Sequence, residues 1–158
     1  YNESFLEYKK LPRYIPIFFL LFVLIQIASG AFVSGLDAAK IYQTWPLMNS
    51  SYFPDDTNIK TLFSLNSLET PSLVQFIHRN IAYIIFIFYF FIFLKILNNN
   101  EFNYLRNISI TIFATLLFQI FLGILTILSG AQIILASLHQ IGSIFLVLTS
   151  LILVFKNT

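Results

Sequence analysis

Four long apolar segments, separated by polar connections, dominate this chain. Each has about 20 residues, which is the length an α-helix needs to cross roughly 30 Å of hydrocarbon. Hydrophobic residues make up 58% of the chain and charged residues only 10%, which leaves too little polar surface for a water-soluble domain. The sequence therefore predicts an integral membrane protein with spans at about 15–33, 73–97, 108–128 and 132–155.

The spans are expected to be helices, although they are rich in Phe and Ile, which favour strands in water. Each run is too long for a barrel strand and lacks the alternation of lipid-facing and lumen-facing residues. In lipid, a helix satisfies every backbone polar group within the segment itself. We predict an all-α integral membrane fold, with residues 1–158 forming a single four-transmembrane-helix bundle and residues of about 34–72 forming a long outer connection.

The distribution of positive charge predicts the orientation of the bundle. Lysines and arginines flank the first span on its N-terminal side, the turn between the second and third spans, and the end of the fourth span: Lys9, Lys10, Arg13, Lys95, Arg106 and Lys156. Positive residues favour the cytoplasmic side of short loops. Both termini are therefore expected on the cytoplasmic side, or on the matrix side in an organelle, with connection 34–72 on the opposite side.

The chain has two histidines, His78 and His139, and each lies about two turns inside an apolar span. An ionisable side chain in a bilayer is costly, and such residues usually mark a pathway, a relay or a cofactor. The second and fourth spans both run inward from the outer face, so both histidines are expected roughly 10 Å below the outer boundary. Equal depth predicts that the two share a ligand, and a metal is the obvious candidate.

An internal repeat supports this pairing. The first span contains Gln26 with Gly30 four residues later, the third contains Gln119 with Gly123, and a histidine-bearing span follows each. Two such hairpins would be related by a pseudo-two-fold axis along the membrane normal, which places the histidines across from each other. We interpret the glutamines and glycines themselves as ordinary helix packing, in which small residues let backbones approach.

The ligand set limits which metal the pair could hold. The chain has no cysteine, which excludes thiolate ligands and covalent haem attachment. A mononuclear zinc or copper site needs three or four protein ligands, whereas haem iron needs only two axial ligands. We therefore predict a haem held by His78 and His139. Gln75, Gln140 and Ser143 are candidate acceptors for the second ring nitrogen, and Arg79 is a candidate partner for haem propionates.

Several motifs in order bring a known family into view. They are Gly-Leu-Asp-Ala at 35–38, Tyr-Gln-Thr-Trp-Pro-Leu-Met at 42–48, Gln-Phe-Ile-His-Arg at 75–79 and Leu-His-Gln at 138–140. Together they resemble the C-terminal half of haem A synthase, over about residues 26–142. The sequence departs from the family pattern at Ala39, Gln43 and Ile77, where the family usually has a glycine, an asparagine and a polar residue. None of the three is a predicted iron ligand.

The resemblance implies an enzyme of eight transmembrane helices built from two similar four-helix halves. Haem A synthase is an oxidoreductase that converts the C8 methyl of haem O to a formyl group, giving haem A for cytochrome c oxidase. The C-terminal half holds a haem b for electron transfer, with His78 and His139 as the corresponding ligands. The N-terminal half would then be missing from this chain, and because catalysis is expected there, we assign no catalytic residue.

The same resemblance implies partners and a location. Haem O as substrate, haem A as product and the lipid bilayer are expected partners. Haem O synthase, cytochrome oxidase assembly proteins and a second copy of the chain are further candidates, and no nucleic acid is expected. The location would be a bacterial cell membrane or the mitochondrial inner membrane.

Two other functions fit the histidine pair. One is a cytochrome b anchor that only relays electrons between a quinone and a partner complex. The other is a haem-free scaffold or transporter in which the histidines pair with polar neighbours or carry protons.

Overall fold

The computed structural model describes residues 9–158. The first eight residues of the predicted 1–158 bundle lie outside the described part of the chain. Within the described part, four long helices are apolar enough to cross a membrane, which confirms the predicted class. In chain order the helices are α1 Tyr14–Gly35, the short α2 Ile59–Leu62 in the outer connection, α3 Pro71–Leu97, α4 Asn103–Leu128 and α5 Ile133–Lys156.

The helix ends extend beyond the apolar spans at several places. Helix α3 begins at Pro71, whose missing N–H costs nothing in the first turn of a helix. Helix α4 begins five residues before the predicted position 108, because its first turn is polar but still helical. The apolar composition predicted the boundaries of the membrane-embedded segments, and helices α3 and α4 begin before those boundaries.

The four long helices form a ring. Helix α1 packs mainly on α3 and α5, and α4 packs mainly on the same two helices. Helices α3 and α5 therefore lie diagonally opposite each other, with α1 and α4 between them. Because α3 carries His78 and α5 carries His139, the histidines approach across the interior of the bundle.

One end of the bundle has a close-packed apolar core. We call this end the terminal half; it comprises the starts of α1 and α4 and the ends of α3 and α5. Phe19 lies against Tyr89 with ring centroids 4.3 Å apart, and Phe93 stacks on Phe113 at 4.3 Å. The fully or nearly buried residues of this core are Leu11, Phe19, Val23, Ile85, Tyr89, Ile92, Ile96, Phe102, Leu105, Ile108, Ile112, Leu116, Leu146 and Leu153.

Both ends of the described chain lie at the terminal half. The backbone N–H of Leu11 donates to Oδ1 of Asn157 at 2.9 Å, and Nδ2 of Asn157 donates to the carbonyl of Leu11 at 2.9 Å. Lys9 pairs with Glu101, in the turn between α3 and α4, at 3.2 Å. The structure thus brings together at one end the basic segments that the charge pattern grouped on one side.

Candidate functional site

The two histidines face each other in the outer half of the bundle, which is the half opposite the terminal half. The centroids of the His78 and His139 rings are 6.5 Å apart, and the ring planes meet at 81°. Both rings are half-buried. The structure therefore brings together the two residues that the sequence singled out.

Each histidine ring lies over a glycine of the preceding long helix. A Cβ atom at Gly30 would lie 3.2 Å from Cε1 and 3.8 Å from Nδ1 of His78. At Gly123 the corresponding distances to His139 are 3.2 Å and 3.7 Å. The repeat seen in the sequence is thus repeated in space. The glycines were interpreted as sites where helix backbones approach closely. In the structure, the lack of a Cβ at each glycine makes room for an imidazole ring.

His78 makes hydrogen bonds through both ring nitrogens. Oγ of Ser29 lies 2.8 Å from Nδ1, and the side-chain nitrogen of Gln26 lies 3.2 Å from Nε2. The same amide nitrogen donates to the backbone carbonyl of His78 at 3.1 Å. Gln26 therefore does more than pack helices. The repeat marked it in the sequence, whereas Ser29 has no counterpart in the repeat and was missed.

His139 has a different environment. Its Nδ1 is buried and has no side-chain partner among the described residues, and the backbone of Gln119 is the hydrogen-bond partner of the ring. Gln119 occupies the position equivalent to Gln26, but both polar atoms of its amide are likewise buried and unpaired. Leu122 stands where the first hairpin has Ser29. The two hairpins thus share their shape but not their hydrogen bonds.

A third glycine admits the side chain of Gln119. A Cβ atom at Gly142 would lie only 1.9 Å from the amide nitrogen of Gln119, so no other residue fits at 142 with this arrangement. The glycine lies one turn after His139 on α5. It allows the Gln119 side chain to reach into the interior beside the histidine.

Buried side-chain polar atoms without a close hydrogen bond lie in two regions of residues 9–158. Around the histidine pair they are Oε1 of Gln26, both amide atoms of Gln119 and Nδ1 of His139, and near the start of α3 they are Oγ of Ser72, Oε1 of Gln75 and Nε of Arg79. Each such atom costs about 1–3 kcal/mol, and native proteins contain few of them. The first group of atoms leaves a polar patch beside the two facing imidazoles.

The predicted acceptors for the histidine ring nitrogens lie elsewhere. Gln75 is buried and donates to the carbonyl of Tyr42 at 3.0 Å. Gln140 is exposed, and Ser143 donates to the carbonyl of Gln140 within α5 at 2.7 Å. In the part of the chain that the structure describes, none of the three makes a hydrogen bond to a histidine. Gln26 and Ser29 contact His78 instead.

Arg79 and Gln75 fasten the outer connection to α3. Arg79 donates to the carbonyl of Tyr42 at 3.1 Å and to that of Leu47 at 3.3 Å. Tyr42, which also accepts from Gln75, is itself buried, and its hydroxyl donates to Asp55. Burial and this hydrogen bond raise the pKa of Tyr42 to about 12, so the phenol stays neutral and remains a donor.

The outer connection covers the end of the bundle above the histidines. The indole N–H of Trp45 donates to the hydroxyl of Tyr83 on α3 at 3.1 Å. At the other side, the amide of Gln43 lies so close to Gly130 that a Cβ there would be 3.0 Å away. Because Gly130 belongs to the turn between α4 and α5, the connection extends across the bundle.

The positive charge of Arg79 has no carboxylate partner among residues 9–158. The ion pairs in that part of the chain are Lys9 with Glu101 and Lys40 with Asp37. Nε of Arg79 is buried and makes no hydrogen bond there. The guanidinium thus lies next to His78 in sequence, bound only to neutral carbonyl groups.

The described residues also contain no group of three or more His, Asp or Glu side chains that could surround a metal ion. A metal that takes most of its ligands from the protein therefore has no site in residues 9–158.

Comparisons with known proteins agree with these features. The profile of the cytochrome oxidase assembly protein family matches residues 3–151. A heme A synthase from Pelagibacter ubique is 41% identical over 155 residues, covering 95% of this chain and 45% of that protein. Heme A synthases from Paracoccus denitrificans and Bartonella tribocorum are 35% and 39% identical, each covering 77% of this chain and 32% and 34% of theirs. The chain thus spans less than half the length of these relatives, and no solved structure matches it.

Proposed function

The chain belongs to the haem A synthase family, and we propose that it forms the half of such an enzyme that holds a haem b between His78 and His139. The observation that carries this proposal is the pair of facing imidazoles, each seated over a glycine. The chain is an integral membrane protein with four helices able to span the bilayer.

The spacing of the rings fits a bis-histidine site. A metal–imidazole bond is about 2 Å long, and the ring centre lies about 1 Å behind the bonding nitrogen, so two imidazoles on one iron have centres roughly 6 Å apart. The observed separation is 6.5 Å. The buried amide of Gln119 and Nδ1 of His139 are further evidence of a fit, because these polar groups have no side-chain partner among the described residues.

The residues around the histidines would perform three tasks. Gly30 and Gly123 admit the two rings, and the apolar core of the terminal half excludes water from below. Arg79 offers the only nearby buried cation that the described ion pairs leave unneutralised, which suits an anionic edge of the cofactor. The outer connection, fastened by Gln75 and Arg79, covers the site.

When bound, a haem in this position supplies reversible one-electron transfer. The conversion of the C8 methyl of haem O to a formyl group removes four electrons, and we place that chemistry in the half of the enzyme that this chain does not include. The role of this half is to hold the haem b rigidly and to exclude water from it. Haem O, haem A and cytochrome oxidase assembly proteins are partners of the whole enzyme under this proposal.

The orientation follows from the charge distribution. Lys9, Lys10 and Arg13 precede α1, and Lys156 ends α5 at the same end of the bundle. By the positive-inside rule, both termini face the cytoplasm or the matrix, and the histidines lie near the opposite face.

The test is a spectroscopic comparison of histidine variants. We expect the full chain, purified from membranes in mild detergent and supplied with haem b, to give a reduced-minus-oxidised spectrum of a low-spin b-type haem. His78→Ala and His139→Ala should each abolish the low-spin signal, because each removes one axial ligand. Gln140→Ala is the control, since this side chain is exposed on α5 next to His139.

The alternatives give different results. A haem-free scaffold or transporter would bind no haem under these conditions. A low-spin spectrum that survives in either histidine variant would show that another residue ligates the iron. A relay cytochrome would show the same spectra as the synthase half. It would be distinguished by the lack of haem A formation when the complete enzyme is assembled with haem O.

A further inference from the structure

The serine next to Gly30 distinguishes the two halves of a nearly symmetric site. Ser29 immediately precedes Gly30 on α1, and Leu122 immediately precedes Gly123 on α4. The two histidines have nearly the same position over these glycines, within 0.1 Å in the distances from each would-be Cβ to Cε1 and Nδ1. Nε2 of His139 also lies 3.7 Å from its would-be Cβ, whereas Nε2 of His78 lies beyond 4 Å, so the rings differ in orientation as well as in their neighbouring side chains.

The hydrogen bonds of Ser29 determine which nitrogen of His78 carries the proton. Oγ of Ser29 lies 2.8 Å from the backbone carbonyl of Gln26, which can only accept, so the hydroxyl hydrogen points there. The same oxygen lies 2.8 Å from Nδ1 of His78. When the hydroxyl donates to Gln26, Oγ accepts from the ring, and Nδ1 carries the hydrogen.

The contacts of Gln26 give the same answer independently. Its amide nitrogen faces two groups, Nε2 of His78 at 3.2 Å and the carbonyl of His78 at 3.1 Å. A carbonyl only accepts, so the atom facing it must be the NH₂ group and not the amide oxygen. Nε2 of His78 then accepts from this NH₂ group through its lone pair. That lone pair is the one a metal would take, with the Gln26 amide as the group displaced.

We propose that Ser29 is a positioning residue that fixes His78 in the Nδ1–H tautomer and presents Nε2 to the metal. A histidine ligand that donates its other N–H to an acceptor is more basic, and its ring orientation is fixed. At His139 the equivalent position is Leu122, so the ring has no serine partner, and its hydrogen-bond partner is the backbone of Gln119. The tautomer of His78 stands on geometry alone, and its role toward iron rests on the proposed function.

The first experiment needs no haem. The full chain, labelled with ¹⁵N-histidine, has two imidazoles, which His139→Ala assigns. We expect the ¹⁵N spectrum of the haem-free protein to show His78 as the Nδ1–H tautomer. Ser29→Ala should convert this signal to a mixture of tautomers, Ser29→Thr should preserve it, and Ser34→Ala, which removes an exposed serine of α1, should leave it unchanged. An Nε2–H tautomer in the wild type, or a His78 signal unaffected by Ser29→Ala, would overturn the proposal.

The second experiment uses the chain loaded with haem b and measures the midpoint potential by redox titration. Loss of the acceptor weakens donation to ferric iron, so Ser29→Ala should shift the potential to a more positive value, with the low-spin spectrum retained and with restoration in Ser29→Thr. A bound haem whose potential is unchanged in Ser29→Ala would overturn the inference and leave the proposed function standing. A wild type that binds no haem would overturn the proposed function and the iron-ligand part together, while the tautomer result would still stand.

Discussion

The terminal and outer halves of this bundle follow opposite rules. The terminal half is filled by aromatic and aliphatic side chains, and its polar group at Tyr89 is satisfied by Ser109 on α4. The outer half contains the two histidines, with Gly30, Gly123, Gly142, Gln26 and Gln119 beside them and several buried polar atoms unpaired. The terminal half therefore provides close packing, and the outer half provides room for the histidine rings. The same four helices form both halves because their side chains change along their length from large and apolar to small or polar.

The strongest test of this difference between the halves is to replace the glycines beside the histidine rings with a large residue. Gly123→Leu should reduce haem occupancy roughly tenfold or more, because the side chain must displace the His139 ring at an overpacking cost of about 1–3 kcal/mol. Gly30→Leu should act in the same way on His78. The measurement is bound haem per protein, with helix content from circular dichroism to show that the bundle persists.

Gly35→Leu is the matched control for this prediction, since a Cβ at Gly35 meets nothing within 4 Å. Full haem occupancy is expected in that variant. Equal loss in all three variants would mean that glycine matters for the helices and not for the rings.

A cavity in the terminal half should have the reverse effect. Phe19→Ala removes roughly 100 Å³ from the core, and at about 24 cal/mol per Å³ the cavity lowers the free energy of unfolding by about 2 kcal/mol. The transfer term of soluble proteins does not add to this, because lipid is as apolar as the core. Reversible unfolding in mixed detergent micelles measures the change.

Phe18→Ala provides the control for the cavity, because the neighbouring ring is exposed on the outside of α1. That variant should unfold close to the wild type. If Phe19→Ala lost haem without losing stability, the two halves would not be separate in function.

The smallest effect is expected where the outer connection is fastened. Arg79→Leu removes the hydrogen bonds to Tyr42 and Leu47, while Gln75 still holds Tyr42. With a net contribution of about 1 kcal/mol, opening of the connection should increase roughly fivefold. The rate of tryptic cleavage after Lys60 measures this opening, with Arg106→Leu at the terminal half as control. Equal rates would indicate that other contacts hold the connection.

Hydropathy and charge predicted most of the fold, because long apolar runs and flanking lysines are properties of single segments. The start of α4 was missed because its polar first turn is helical outside the apolar span. The internal repeat predicted that His78 and His139 share a site, and their rings do face each other. In both cases the successful inference depended on a local pattern.

The contacts of the histidine rings depend on the directions of neighbouring side chains, which no local sequence pattern specifies. Gln75 was expected to orient a histidine because it lies three residues from His78, yet it faces the outer connection. Ser29 was not predicted as a site residue because a serine in an apolar helix usually donates a hydrogen bond to a backbone carbonyl of the same helix. Ser29 also does this, to Gln26. Only the packing of α1 on α3 reveals its second contact.

The paired hydrogen bonds between Leu11 and Asn157 have a consequence for chain topology. They join the start of α1 to the end of α5 as closely as a short turn would, and each long helix already packs on the next around the ring. The four long helices therefore form a closed ring. The same ring could be built by a circularly permuted chain that begins at a different helix. A permuted chain that links position 158 to position 9 and opens in the turn at Gly130 would preserve every interhelical contact around the histidines.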